Sequence, residues 1–174
     1  NIIHGLDVIE NTGKGLMRFV EDYRKLTKIP NPVFKPIPID NWLNGIRLLL
    51  KTRLDEEGID LRIIRNCKEE ELIGDEKLLN QVMINLINNA IDALEGRSSG
   101  RIEVHVSENT GGRHKISITD NGKGIPEEEL EKIFIPFYTT RENGSGIGLS
   151  LSRKIMRLHK GSISVISKPD DKTT

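Results

Sequence analysis

Asn85 and Asn89 stand four positions apart, with Asn88 between them, in the run Asn85-Leu86-Ile87-Asn88-Asn89-Ala90. On a helix that spacing projects both amides from one face. Neutral amides turn carbonyl oxygens toward a cation without adding charge that would repel a phosphate chain. A hard cation such as Mg2+ takes oxygen ligands in company with phosphates and water. The alternative is a solvated polar face, which Lys or Glu would serve better, since asparagine is a mediocre helix former. Further on, Asp120-Asn121-Gly122-Lys123-Gly124-Ile125-Pro126 ends an apolar strand. A carboxylate there can accept a hydrogen bond from an exocyclic amine such as adenine's, and Gly122 and Gly124 let a flat ligand approach the backbone. A plain Asp-Asn-Gly turn explains that segment alone equally well. Gly144-Ser145-Gly146-Ile147-Gly148-Leu149 then opens a helix. Free amides beside a helix N-terminus suit phosphate.

Between the turn and this loop lie Ile133-Phe134-Ile135-Pro136-Phe137 and the stretch from Tyr138 to Gly144. That stretch, with Thr139, Thr140 and Arg141, is polar and glycine-flanked, as a mobile lid would be. Arg141 reads equally as a phosphate ligand and as an exposed side chain. There is no Gly-Lys-Ser/Thr, and the loop follows a Phe/Pro segment rather than a strand, so neither a Walker A loop nor a dinucleotide fingerprint fits. In this order and spacing the segments are hard to explain except as one nucleotide-binding site.

These segments need elements to hold them. Ile2, Leu6, Ile9, Gly13, Leu16, Val20, Tyr23 and Thr27 recur at steps of four and three, which predicts a helix over 1–29 with a heptad seam. Such a stripe calls for partner helices or for packing on the chain's own globular part. Pro30, Pro32, Pro36 and Pro38 mark a hinge over 30–38, and 33–39 reads as an edge strand. Asp40 is a candidate N-cap for a helix from Asn41 to Glu57, stopped by Gly58. Strands are expected over 59–66, 70–73, 102–106 and up to Ile118, with a turn from Asn109 to Gly112. Asp75 is expected to cap a helix to Leu94 that buries Leu78, Leu79, Val82, Met83, Leu86, Ala90 and Ala93. Pro126 should start a short acidic helix, Ile147 to His159 a longer one, and Gly161 to Ser167 a last strand. Single-sided apolar helices alternating with strands predict an α/β (α+β) two-layer sandwich, with helices on one face of a mixed sheet.

Composition sets the bounds. The chain has 174 residues, 36% hydrophobic and 30% charged, which fits a folded domain with an appendage. Its 26 basic and 26 acidic residues cancel, so no whole-chain pull toward nucleic acid or anionic membrane is expected. Cys67 is the only cysteine, which excludes an intrachain disulfide and favours a reducing compartment. Nothing near it in sequence suggests a thiolate partner. No apolar run reaches the ~18–20 residues of a membrane span. The first residue is Asn1, not Met, so a piece of a longer protein is expected.

The four segments resemble the N, G1, F and G2 boxes of the histidine kinase catalytic and ATP-binding domain. It belongs to the superfamily shared with type II topoisomerase, mismatch-repair and heat-shock chaperone ATPases. The resemblance covers roughly residues 35–168. It implies a Bergerat-type fold over 39–174, a proline hinge, and in 1–29 the second helix of a dimerisation and phosphoacceptor hairpin. It implies ATP and Mg2+ as ligands, with Asn89 holding Mg2+ and Asn85 beside the phosphates. Asp120 would bind the adenine amine, and Gly122, Gly124 and Ile125 would line the base. Phe134 and Phe137 would anchor the lid, and the loop Gly144, Ser145, Gly146, Ile147, Gly148 and Leu149 would wrap the phosphates. Further implications are a homodimer through the N-terminal helix, a response regulator receiver domain as partner, no nucleic acid, and a cytoplasmic location, with membrane anchoring of the parent left open.

Hydrolytic relatives carry a glutamate where Asn85 stands. An amide cannot act as base for water, so transfer to a presented acceptor is expected, and Asn85 is the residue assigned to catalysis. The acceptor histidine of the family lies on the first hairpin helix, outside this sequence; His4 is not assigned that role. His105 and His114 are expected at the surface, and His159 is read as structural. Asp92 stands where many members carry a lysine. The family's final strand, after a Gly-Thr-x-Phe type segment, is not found, which leaves a truncated edge or a cut sequence. Two other readings compete: a non-catalytic ATP-binding signalling module and an anti-sigma-factor type of serine kinase.

Overall fold

The structure is a computed structural model that describes residues 2–108, 112–141 and 144–174. Expectations placed on the side chains of Ile2, His4, Leu6 and Ile9, on the turn from Asn109 to Gly111, and on lid residues 142–143 lie outside the described residues. Helix α1 spans Ile2–Thr27 and strand β1 Lys35–Pro38. They are followed by α2 (Ile39–Glu56), β2 (Asp60–Asn66), β3 (Glu71–Gly74), α3 (Glu76–Ala93), β4 (Arg101–Glu108) and β5 (His114–Asp120). The short α4 (Glu127–Leu130), α5 (Gly148–Leu158), β6 (Ser167–Lys168) and β7 (Lys172–Thr173) complete the chain.

The main sheet has the order β2-β4-β5-β7-β6; β1 and β3 form a separate antiparallel pair. β2 runs parallel to β4, and the connection between them carries α3 across the sheet, while β4 and β5 form an antiparallel hairpin. Alternation dictates the inner face: Ile102, Val104 and Val106 of β4 are at most 1% exposed. They meet Trp42, Leu43, Ile46, Leu50 and Leu54 of α2, and Met83, Ile87, Ala90 and Ile91 of α3. This is the mixed two-layer sandwich that the alternating pattern predicts.

Several local expectations change. Asp40 does not cap α2: the helix starts at Ile39, Pro38 is the cap residue, and no side chain bonds there. Proline sets an extended entry with no orphan amide of its own, which moves the start two residues upstream and leaves Asp40 in the first turn. Asp75 does cap α3, accepting from the Leu78 amide at 3.1 Å. The deepest residues of α3 include Ile87 and Ile91, while Leu79, Leu86 and Ala93 are only half-buried. The helix is covered by the sheet on one side and by α5 on the other, so its apolar stripe is wider than a single face. Residues 161–166 are irregular, and the predicted last strand shrinks to the β6–β7 hairpin, which meets β5 only at Asp120↔Thr173.

The stripe of α1 divides. Leu26 joins Ile29 and Leu86 against Leu78, Val82, Leu151 and Ile155, and Lys154 Nζ donates to the Leu26 carbonyl at 2.9 Å. Leu16 (64%), Val20 (53%) and Tyr23 (55%) stay exposed.

Candidate nucleotide-binding site

Helix α3 is the spine of the site. Its N-terminus is fixed by Asp75, whose carboxyl is held below the usual carboxylate range by hydrogen bonds from the Val33 and Leu78 amides. The Asp75 amide donates to His159 Nε2 at 3.0 Å, and His159 Nδ1 donates to the Ile155 carbonyl at 2.9 Å. His159 thus ties α3 to α5, the structural role read from sequence.

Asn85 is wedged between the two helices. Its Nδ2 donates to Ser152 Oγ at 3.0 Å, and Ser152 is 1% exposed. A Cβ on Gly148 would lie 2.0 Å from Asn85 Oδ1, so a glycine as the first residue of α5 lets Asn85 keep this position between the helices. No side chain caps α5, which leaves its first-turn amides available to an anion.

The C-terminal end of α3 abuts the glycine turn. Lys123 N donates to the Ala93 carbonyl at 3.1 Å, and a Cβ on Gly122 would sit 2.7 Å from that oxygen. Asp120 is 5% exposed and accepts from the Gly122 amide at 2.9 Å. Burial pushes its carboxyl above the ordinary value of 3.8. The far side of the turn is clamped to the terminal hairpin: Ile125 N donates to Ser167 Oγ at 2.8 Å, and Gly124 leaves no room for a Cβ, with the Lys168 carbonyl 2.4 Å away. Along α3, Asn89 and Asn85 stand one and two turns before Ala93, about 6 and 12 Å back at ~1.5 Å per residue. The order along the helix is therefore the carboxylate turn, then Asn89, then Asn85 beside the uncapped end of α5.

The Phe/Pro segment is tied to the glycine loop. Phe137 N donates to the Gly146 carbonyl at 2.9 Å, and the Phe137 ring lies 5.0 Å from that of Phe19 on α1. Arg153 lies over the Phe134 ring at 4.7 Å. The Tyr138 hydroxyl donates to Glu129, which pushes the phenol pKa up. Thr139 Oγ1 accepts from the Arg141 amide at 3.1 Å, packed where a Gly144 Cβ would fall. Thr140 is exposed.

Arg141 folds back onto α3. It donates to Asn89 Oδ1 at 3.1 Å and pairs with Asp92. Asp92 also pairs with Arg53 of α2, which donates to Asn88 Oδ1 at 2.6 Å. The sequence reading missed this network. Arg53 carries no local signal, whereas Ser152 lies four positions after Gly148 and so on the same face of α5. In this position the Arg141 guanidinium lies against Asn89, and two open clefts lie away from it. One of ≈ 290 Å³ is lined by Ile37, Trp42, Leu49 and Ile84, another of ≈ 590 Å³ by Glu127, Glu128, Leu130 and Glu131. The donor set fits a magnesium nucleotide: amide oxygens for a hard cation, amide hydrogens for phosphate, and a buried carboxylate for an amine.

Residues 74–174 match the family described as histidine kinase-, DNA gyrase B- and HSP90-like ATPase, and the chain belongs to it. Within that family it carries the ATP-binding catalytic domain of a sensor histidine kinase. Sensor histidine kinase ZraS of Escherichia coli (strain K12) is 35% identical over 153 residues, covering 88% of this chain and 32% of that protein. The chain thus spans about a third of such a relative. The structure of histidine kinase ThkA in complex with response regulator TrrA aligns with TM-score 0.75 at 26% identity, over 96% of this chain and 48% of that one. Full-length ShkA in complex with AMPPNP aligns with TM-score 0.79 over 96% of this chain and 36% of that one, and at 23% identity it speaks to the fold.

Proposed function

We propose that this chain binds Mg2+·ATP and hands the γ-phosphate to a histidine presented by a hairpin helix, for relay to a response regulator receiver domain. The observation that carries the reading is Asn85. It is buttressed by Ser152 and Gly148, and it is an amide where activation of water would need a carboxylate. A site without that base works by positioning and charge neutralisation. Asn89 would hold Mg2+, which when bound neutralises phosphate charge. Asp120 would accept the adenine amine, with Gly122, Gly124 and Ile125 along the base. Gly144, Ser145, Gly146, Ile147, Gly148 and Leu149 would offer amides to the phosphates, and Thr139, Thr140 and Arg141 would close over them. An imidazole nitrogen would then bond to the γ-phosphorus as the bridging P–O bond breaks and ADP keeps its electron pair.

In this reading 1–29 is the second hairpin helix, 30–38 the hinge and 39–174 the catalytic domain. The exposed Leu16, Val20 and Tyr23 support a second copy's helix as their cover, and the ThkA–TrrA complex supports a receiver domain as partner. The work would be done on the cytoplasmic side; among the described residues no helix is long and apolar enough to cross a membrane.

The test is incubation with labelled ATP and the complete hairpin in trans. Label lost in acid and stable to base supports histidine transfer. The reverse lability supports a serine kinase, and no label supports a non-catalytic module. Asn89→Ala should abolish the magnesium dependence of ATP binding in calorimetry; a persisting response would put the cation elsewhere. ATP must also displace Arg141 from Asn89. Asp92→Ala removes the partner that holds Arg141 and a negative charge near the triphosphate. Exposed pairs are worth ~0.2–1 kcal/mol, so affinity should tighten by a factor of about 1.4 to 5. Unchanged or weaker binding would show that the pair does not compete.

A further inference from the structure

We propose that Cys67, Glu108 and His114 form a Zn2+ site at the end of the sheet remote from the nucleotide segments. Three neighbouring strands each deliver one ligand. Cys67 follows the last residue of β2, Glu108 ends β4, and His114 opens β5 directly opposite Glu108 in register. The parallel register Asn66↔Ser107 brings Cys67 alongside Glu108. The thiol, carboxylate and imidazole ligand atoms all lie within 4.8 Å of one another.

A second observation points to a ligand. His114 Nε2 is shielded from solvent and has no hydrogen-bond partner, the one buried side-chain atom in that state among the described residues. Leaving such a nitrogen unpaired is costly, and a lone pair facing a thiol and a carboxylate is relieved by a cation. Sequence placed His114 at the surface, but its Nε2 is shielded, and the two strand registers bring Cys67 and Glu108 beside it. Glu108 is already oriented: its Oε1 accepts from the Lys68 and Glu69 amides at 3.0 and 3.1 Å, leaving Oε2 to ligate, as outer-shell bonds do at metal centres.

The S, N, O donor set selects Zn2+ over Mg2+ or Ca2+. Tetrahedral zinc at ordinary bond lengths separates its ligand atoms by about 3.3–3.8 Å, so the triad closes by rotamer adjustment. Three protein ligands leave the fourth position to water. On binding, the Cys67 thiol gives its proton to solvent as the Zn–S bond forms. Its present contact, 3.5 Å to the Glu69 carbonyl, is given up. His114 and Asp120 lie at opposite ends of β5, about 20 Å apart at ~3.3 Å per residue, so this ion is distinct from the magnesium of the nucleotide.

The test uses the reduced, metal-free chain. Co2+ should produce a thiolate-to-metal absorption band and tetrahedral d–d bands at one equivalent, and Zn2+ should displace it. Zn2+ should also slow alkylation of Cys67 at least tenfold. Cys67→Ser, His114→Ala and Glu108→Gln should each weaken Zn2+ binding tenfold or more; Glu108→Gln keeps an acceptor for both amides and so reports ligation rather than folding. His105→Ala should change nothing. Absence of the thiolate band in the unmodified chain, or zinc affinity that survives both Cys67→Ser and His114→Ala, would overturn the site.

Discussion

Replacing Asp120 by asparagine is expected to weaken ATP binding by about 1–3 kcal/mol, the scale of a hydrogen bond to a charged group, without lowering the stability of the fold. The two effects separate because the side chain has two jobs. One oxygen accepts from the Gly122 amide, and an asparagine Oδ1 does this as well. The other would face the adenine amine, where the Nδ2 of asparagine presents a donor to a donor. The pH slopes separate too. Burial raises the Asp120 pKa above 3.8, so folding takes up a proton between the unfolded and folded values. This group's contribution to stability therefore improves as the pH falls through its folded pKa. Nucleotide binding needs the carboxylate and weakens over the same interval. Relative to Asp120→Asn, the native chain should gain stability and lose ATP affinity as the pH falls through this interval, read by thermal unfolding and calorimetry across an acidic pH series. Equal ATP affinity in the variant would remove the adenine assignment.

The legible part of the site was the part written in local spacing. The four-residue step from Asn85 to Asn89 needed only helical geometry, and the cap at Asp75 only the preference of carboxylates for helix starts. The glycines were visible as an anomaly of composition, but their cause was not. Gly122 yields to the Ala93 carbonyl, Gly124 to Lys168 and Gly148 to Asn85, each a contact between distant stretches. The ion-pair chain from Arg53 through Asp92 to Arg141 is likewise a product of packing, since nothing in α2 announces which side chain will reach α3. The proline at residue 38 overrode the more familiar cap at Asp40. The last strand failed because residues 161–166 alternate without a long neighbour to pair with. Cys67 and His114 gave no joint signal for a similar reason: one strand pattern shows alternation, whereas the grouping of Cys67, Glu108 and His114 arises from the register of three.

Gly146→Ala should detach the lid. Gly146 has φ +66, a conformation that costs an alanine about 1–2 kcal/mol. A Cβ there would lie 2.5 Å from the Phe137 carbonyl carbon and 2.8 Å from its Cα and O. These are backbone atoms that cannot rotate aside, and overpacking of this kind costs about 1–3 kcal/mol more. Phe137 is itself held at φ 66 and donates to the Gly146 carbonyl, so the strain falls on the hydrogen bond that joins the Phe/Pro segment to the phosphate loop. Neither residue belongs to the two buried apolar clusters, and the relief is therefore local: Phe137 leaves Phe19, and the loop loses the shape that would present its amides. ATP affinity should fall at least tenfold with little change in the unfolding midpoint, and amide exchange should accelerate around Phe137 and Gly146. Gly148→Ala makes a useful contrast, because its obstacle is the Asn85 amide, a side chain that can swing away. That variant should break the Asn85–Ser152 bond and leave the lid attached. Native ATP affinity in Gly146→Ala would mean that loop and lid already part before the nucleotide arrives.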